Sequence, residues 1–282
     1  MKQNKDNMYR IDTDKAWNNL YSRLENDGLL TGETIFSSEG QRKVLIQWIV
    51  AVAAMLAGIV FFTFYFPDNK EDLPLFTQNT ENSGTLVTTL EDGSTVYLAT
   101  NASISYPSAF AANQRKVVLN GNALFCVTKD EKRPFVVEAK GITIEVVGTI
   151  FVVQSSPGNP FELSVKQGKV NVHSKDNQTI VPVEAGETVQ QYAGGLSKSG
   201  IANPQIFSYF TDKMCFKDEK LNNIVHAINT IYGSPAIIAE ESLNNRTLTV
   251  TFENNSVETM TELICMALNL EQINKQDTIF IK

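Results

Sequence analysis

Few side chains in this sequence are of types that do chemistry together, and their spacing keeps them apart. His173 and His226 are the only histidines, one in a strand-like run and one in a helix-like run. Neither has a Cys or a second His at ligand spacing, which argues against a zinc-type site. The cysteines are Cys126, Cys215 and Cys265. No two of them form a CxxC pair, so they read as three buried thiols, with a Cys215–Cys265 disulfide as the alternative. There is no GxSxG elbow, P-loop or dinucleotide fingerprint. The glycine-rich "AGGLSKSG" from Ala193 has no helix after it to cradle a phosphate, and reads as a linker. These residues predict no metal site, no cofactor and no enzyme.

The better signal is recognition. In "IDTDKAWNNLYSRLENDGLL" the residues Trp17, Leu20, Tyr21 and Leu24 recur at i, i+3, i+4 and i+7, one apolar stripe on a helix. Thr13 or Asp12 can cap its start, and Gly28 is placed to end it. Four turns with nothing to pack against are marginal. Burying the stripe is worth about 1.5–3 kcal/mol per side chain, enough to order the segment on a partner. Residues 1–43 hold as many acidic as basic residues, so anionic lipid exerts no net pull. Trp17, Leu20, Tyr21 and Leu24 are therefore the predicted partner-binding residues.

What positions that helix is the next stretch, "VLIQWIVAVAAMLAGIVFFTFYF", Val44 to Phe66. As a helix it is roughly 34 Å long, against a hydrocarbon core of about 30 Å. Thirteen of its residues are Val, Leu, Ile or Phe; at about −0.3 to −0.6 kcal/mol each they favour insertion. Trp48, Tyr65 and Phe66 lie near its ends, where aromatic rings sit at the interface. A core helix would keep a polar edge, and a cleaved signal peptide would be shorter and nearer the N-terminus. Arg42 and Lys43 precede the span and Asp68, Lys70, Glu71 and Asp72 follow it, so residues 1–43 are expected in the cytoplasm and residues 68–282 outside it.

The exported part, about 215 residues, is long enough for one large domain or two small ones. The chain's net charge is −7, with no lysine or arginine block, so nucleic-acid binding has no electrostatic footprint. From Gly84 the sequence turns to short strands. "TLEDGSTVYLA" places Asp92-Gly93 in a tight turn. In "RKVVLNGNALFCV" the residues Val117, Leu119, Gly121, Ala123, Phe125 and Val127 share one face. With "PFVVEA", "ITIEVVG", "TIFVVQS", "FELSVKQ" and "KVNVHS" following closely, this is an all-β unit over 82–200: a sandwich, a barrel or a β-solenoid. Over 209–282 there is an internal repeat. "FKDEKLNNIVHAIN" from Phe216 lines up with "FENNSVETMTELIC" from Phe252 at an offset of 36. Each copy reads strand, turn, amphipathic helix, strand, giving a small α+β domain of two βαβ halves on a shared sheet.

The ordered runs "LEDGSTVYLATNASISYP", "RKVVLNGNALFCVTKDEKRPFVV", "IEVVGTIFVV", "VKQGKVNV" and "VEAGETV" resemble the periplasmic region of the FecR family of anti-sigma factors. The family's proline is replaced by Ala185 in the last run. The repeat resembles the short secretin/TonB N-terminal type of domain that ends Bacteroidota members of that family. The resemblance implies a single-pass inner-membrane protein, with its N-terminus cytoplasmic and its C-terminus periplasmic. Residues 1–43 would hold an extracytoplasmic-function sigma factor. The exported part would receive a signal from the signalling domain of a TonB-dependent outer-membrane transporter. Gly148-Thr149 matches the pair at which some members cut their own backbone. A threonine hydroxyl beside a strained glycine peptide can attack the preceding carbonyl; as a structural pair, they would be a bulge glycine and a strand threonine. A free edge strand at "TIFIK" would accept a partner by strand addition. An alternative function is an envelope-anchored ligand-binding or structural module, with Tyr97, Tyr106 and Tyr192 exposed to grip its target.

Overall fold

The structure is a computed structural model. It describes residues 13–29, 47–58, 61, 74–80, 84–174, 179–193, 195–201 and 203–282. The chain divides into two compact units, Met1–Lys70 and Glu71–Lys282.

In the first unit, helix α1 (Thr13–Asn26) buries no residue. It ends where Gly28 takes a φ of 66°. There the Gly28 amide donates to the Glu25 carbonyl and the Leu29 amide to the Leu24 carbonyl, 3.2 and 3.0 Å. This paired closure satisfies carbonyls the last turn leaves over, and only glycine reaches that φ without strain. Residues 47–58 form a second helix, α2, exposed along its length. Among the described residues no helix is long and apolar enough to cross a membrane. The ends of the predicted span (44–46 and 62–66), its residues 59–60, and the flanking Arg42, Lys43 and Asp68 lie outside the described residues.

The second unit begins with strands β1 (Leu75–Gln78), β2 (Thr85–Thr89), β3 (Thr95–Leu98), β4 (Ser103–Tyr106), β5 (Arg115–Cys126), β6 (Phe135–Ala139) and β7 (Ile142–Val146). It continues with β8 (Ile150–Ser155), β9 (Glu162–Gln167), β10 (Lys169–His173), β11 (Ile180–Glu184), β12 (Glu187–Tyr192) and β13 (Gly195–Gly200). The strand β5 belongs to two layers. Its first half lies between β4 and β6, in a layer ordered β1-β4-β5-β6-β7-β10-β11. Its second half lies between β3 and β8, in a layer that runs from β13 through β12, β9 and β8 to β3 and β2. The switch falls at Gly121, φ 95°, where a Cβ would sit 2.8 Å from the Ala102 backbone. A side chain there would block the crossing.

Alternation on β5 does what its pattern indicated. Val117, Leu119, Ala123, Phe125 and Val127 all enter one core between the two layers, with Val96, Phe135, Ile144, Phe151 and Val165. The β unit is all-β, as the sequence indicates, and its two layers share β5 in one connected, nearly closed, barrel-like sheet. "AGGLSKSG" is not a linker. Gly195–Gly200 is β13, paired antiparallel to β12 with Tyr192 opposite Gly195; its glycine supplies the φ of 121° that the hairpin needs.

The last part comprises β14 (Lys213–Lys220), α3 (Leu221–Tyr232), β15 (Ala236–Ala239), β16 (Thr247–Glu253), α4 (Val257–Leu268), β17 (Gln272–Lys275) and β18 (Thr278–Ile281). The repeat is visible in the matched bounds of α3 and α4, and of β15 and β17. Phe216 and Phe252, its first aromatic in each copy, meet edge to face at 6.0 Å. The two halves do not share one sheet, however. Strands β14 and β16 pair with each other and extend the second layer, β14 running parallel to β2. Strands β15, β18 and β17 form a separate three-stranded sheet. Both helices lie in a second core with Val87, Tyr97, Leu124 and Val152 from the outer face of the β unit. "TIFIK" is not a free edge: β18 is the central strand, hydrogen-bonded on both sides. The exposed side of β15 is closed by Asn229, whose carboxamide donates to the Ile237 carbonyl and accepts from its amide, both at 2.8 Å.

Candidate functional site: an exposed stripe and a clamped glycine–threonine pair

On α1 the stripe is presented, not buried. Trp17 and Tyr21 are each 60% exposed and Leu20 is 46% exposed, while Leu24 is half-buried. The structure thus brings Trp17, Leu20, Tyr21 and Leu24 onto one helix.

Gly148 and Thr149 lie between β7 and β8, outside both strands. The register of β8 against β9 shifts at Ile150/Phe151, immediately after them. Two backbones crowd the pair. A Cβ on Gly148 would meet the Lys129 Cα at 2.7 Å, and a Cβ on Gly168 would meet the Thr149 Cγ2 at 2.5 Å. Residues 127–130 run alongside, the Val127 amide donating to the Thr149 carbonyl (2.9 Å) and the Asp130 amide to the Val147 carbonyl (2.8 Å). The glycine is therefore accounted for by close approach of a neighbouring backbone. Thr149 is 3% exposed, and its hydroxyl has no hydrogen-bond partner. A hydroxyl in that state has no base aligned to take its proton.

The wall behind this pair is held by an ion pair that sequence reasoning missed. Arg115 is fully buried. It donates to the Asp92 carboxylate at 2.7 Å, to the Thr128 carbonyl at 2.9 Å and to the Arg133 carbonyl at 2.8 Å. Its guanidinium also lies 5.4 Å from the Phe135 ring centroid. Ser94 completes the knot, donating to Asp92 and accepting from the Thr128 amide. The loop after β5 is thus tied to the Asp92-Gly93 turn. The signal was present: Arg115 heads the inward-facing alternation of β5, the one charge on an apolar face.

The remaining candidates are dispersed. Tyr97 is buried, its hydroxyl donating to the Ala227 carbonyl at 3.2 Å, and Tyr106 is half-buried. Tyr192 alone of the three is open to solvent. The exposed aromatic triplet of the ligand-gripping alternative does not exist, because β3 is covered by α3. All three cysteines are free and buried. Cys265 lies in the second core, as do Met214 and Phe216 on either side of Cys215. Strand alternation turns Cys215 to the opposite face, so the Cys215–Cys265 disulfide is ruled out by the sheet between them. Burial pushes the Cys126 thiol up to about 12. His226 is exposed on α3, and His173 on β10 is 3.7 Å from Glu145. Among the described residues no three His, Cys, Asp or Glu side chains come together to hold a metal ion.

Comparison with known families matches residues 77–171 to the family described as FecR protein and residues 213–281 to that described as FecR, C-terminal. The chain belongs to the FecR family. The first match spans β2 to β9 entirely, and with them the Asp92–Arg115 knot and Gly148-Thr149; the second coincides with β14 to β18. Two crystal structures of a candidate anti-sigma factor from Parabacteroides distasonis, at 1.65 and 2.50 Å resolution, are similar to this FecR chain. Each is 20% identical, covering 74% of this chain and 98% of that one, with TM-scores of 0.46 and 0.47. No curated protein matches the chain.

Proposed function

We propose that this FecR protein is an anti-sigma factor of the inner membrane. Residues 1–43 hold an extracytoplasmic-function sigma factor in the cytoplasm, residues 44–66 cross the bilayer once, and residues 68–282 face the periplasm. There they take a signal from the signalling domain of a TonB-dependent outer-membrane transporter. The observation that carries the reading is the α1 stripe: an amphipathic helix with no buried residue needs a partner to be stable. The flanking α2 supports it, since Trp48, Ile49, Val50, Val52, Met55 and Leu56 are all exposed, as befits a lipid-facing helix and not a protein core. Family membership supplies the class of partner. The chain acts by binding, and the sigma factor's release is the output.

The test is co-purification of the full chain, solubilised from membranes, with the sigma factors of the same cell. An extracytoplasmic-function sigma factor should be retained by the wild type. The triple variant Trp17→Ala, Leu20→Ala, Tyr21→Ala should lose it by tenfold or more and change transcription from that factor's promoters. Equal retention by the variant would overturn the assignment of the stripe. A periplasm-active reporter fused after Lys282 that stays silent would overturn the topology.

A further inference from the structure

We infer that β16 is an interface for a second copy of this chain, the two β16 strands pairing antiparallel about Thr249. Among the described residues β16 (Thr247–Glu253) pairs only with β14 and so ends the second layer. Hydrogen bonds at its two ends fix which backbone groups that pairing uses. The Leu221 amide donates to the Arg246 carbonyl at 2.8 Å, and the Asn254 amide to the Asp212 carbonyl at 2.7 Å. Backbone groups alternate along a strand, so Leu248, Val250 and Phe252 also face β14. The amides and carbonyls of Thr247, Thr249 and Thr251 therefore face the open side. That open stretch is bounded at both ends. The Asn255 carboxamide oxygen accepts from the Glu253 amide at 2.8 Å, and the Arg246 amide turns back to the Leu243 carbonyl at 3.0 Å. The other edges among the described residues are defended: β11 by Pro182, β13 by Lys198, and β1, β15 and β17 by being only four residues long. From Thr247 to Phe252, β16 carries neither a charge nor a proline.

Any extended strand has the backbone to bond this edge; its side chains and its length favour a second copy. A mate centred on Thr249 sets Thr249 opposite itself and Thr247 opposite Thr251, so every open amide meets an open carbonyl. The exposed threonines then form a ladder on one face, a favourable cross-strand arrangement. On the other face Leu248 meets Val250, both half-buried. Glu253, the only charge in the strand, falls opposite Asn245, and its Asn255 cap stays in place. No like charges meet. The contact is isologous and closes at two copies. It continues the second layer across the pair, with the helices of both copies on the same side of the sheet.

The test uses the full chain in detergent, with cysteines introduced on the edge and a thiol cross-linker of about 5 Å reach, the separation of directly opposed Cβ atoms. The native cysteines are buried, and the wild type serves as the blank. Thr249→Cys should link into a dimer. Thr251→Cys alone should not, since its counterpart lies about 13 Å along the strand, but mixed with Thr247→Cys it should. Thr251→Pro removes an outward amide and no bond to β14, so it should abolish the Thr249→Cys link. Absence of both expected links would overturn the inference and leave the edge to a strand of another protein. Equal linking of Thr249→Cys and Thr251→Cys, each alone, would overturn it as well, because association would then have no register.

Discussion

Replacing Arg115 by Met should cost this protein a large part of its stability. The methionine fills much of the volume of the arginine stem, so cavity formation is a minor contribution. What is lost is electrostatic. Asp92, with its side chain 3% exposed, keeps only its bonds from Ser94, and the carbonyls of Thr128 and Arg133 lose their side-chain donor. Removing one member of a buried, fully hydrogen-bonded pair costs about 3–5 kcal/mol, against a total of about 5–15 kcal/mol for a domain. With a urea dependence of about 1–3 kcal/mol per molar, the unfolding midpoint should fall by about 1–5 M, read by far-ultraviolet circular dichroism. Adding Asp92→Asn to Arg115→Met should recover part of the loss, because the uncompensated carboxylate is then gone. A midpoint within about 0.3 M of wild type for Arg115→Met would refute the assignment of Arg115 as the tie between the Asp92 turn and the loop after β5.

Gly148→Ala should destabilise by about 1–3 kcal/mol in the same assay, since its Cβ would overlap the Lys129 backbone and not a movable side-chain end. Thr149→Val should stabilise by about 1 kcal/mol, because it removes a buried hydroxyl without a partner while keeping its shape. The same variant should abolish scission at the 148–149 bond wherever the wild type shows it on a gel; persistence of the two fragments would exclude Thr149 as nucleophile. Stability should decline above pH 9. Burial raises Cys126 from 9.0 to about 12 and pushes the Tyr97 phenol up as well, so the folded chain keeps protons that the unfolded chain releases. That contribution is whole below pH 9 and is lost as pH climbs towards 12; a urea midpoint that is flat over this range would contradict it.

The strands of the β unit, the Gly28 stop and the 36-residue repeat were legible because each is written in local periodicity or turn chemistry. The inward set from Val117 to Val127 could be read directly, since one strand face meets one core. What could not be read was pairing at long range. Nothing local says that β14 joins β2, or that β18 lies inside its sheet and not at an edge. The glycines of "AGGLSKSG" were read as slack because flexibility and a positive-φ hairpin call for the same residue. Tyr97 looked exposed because alternation on β3 assigns it to the face opposite Val96, and only the docking of α3 makes that face interior. At the glycine–threonine pair the sequence shows only a hydroxyl beside a glycine; the packing that requires the glycine comes from Lys129, which the fold of the loop after β5 brings alongside.

Because α3 and α4 roof the outer side of the second layer, neither half of the second unit is a cassette. A chain cut after Gly200 would bare Val87, Tyr97, Leu124 and Val152 to water at once. Exchanging tail segments between relatives will give soluble chimeras only where those contact positions travel with the tail, so the two halves are constrained to diverge together.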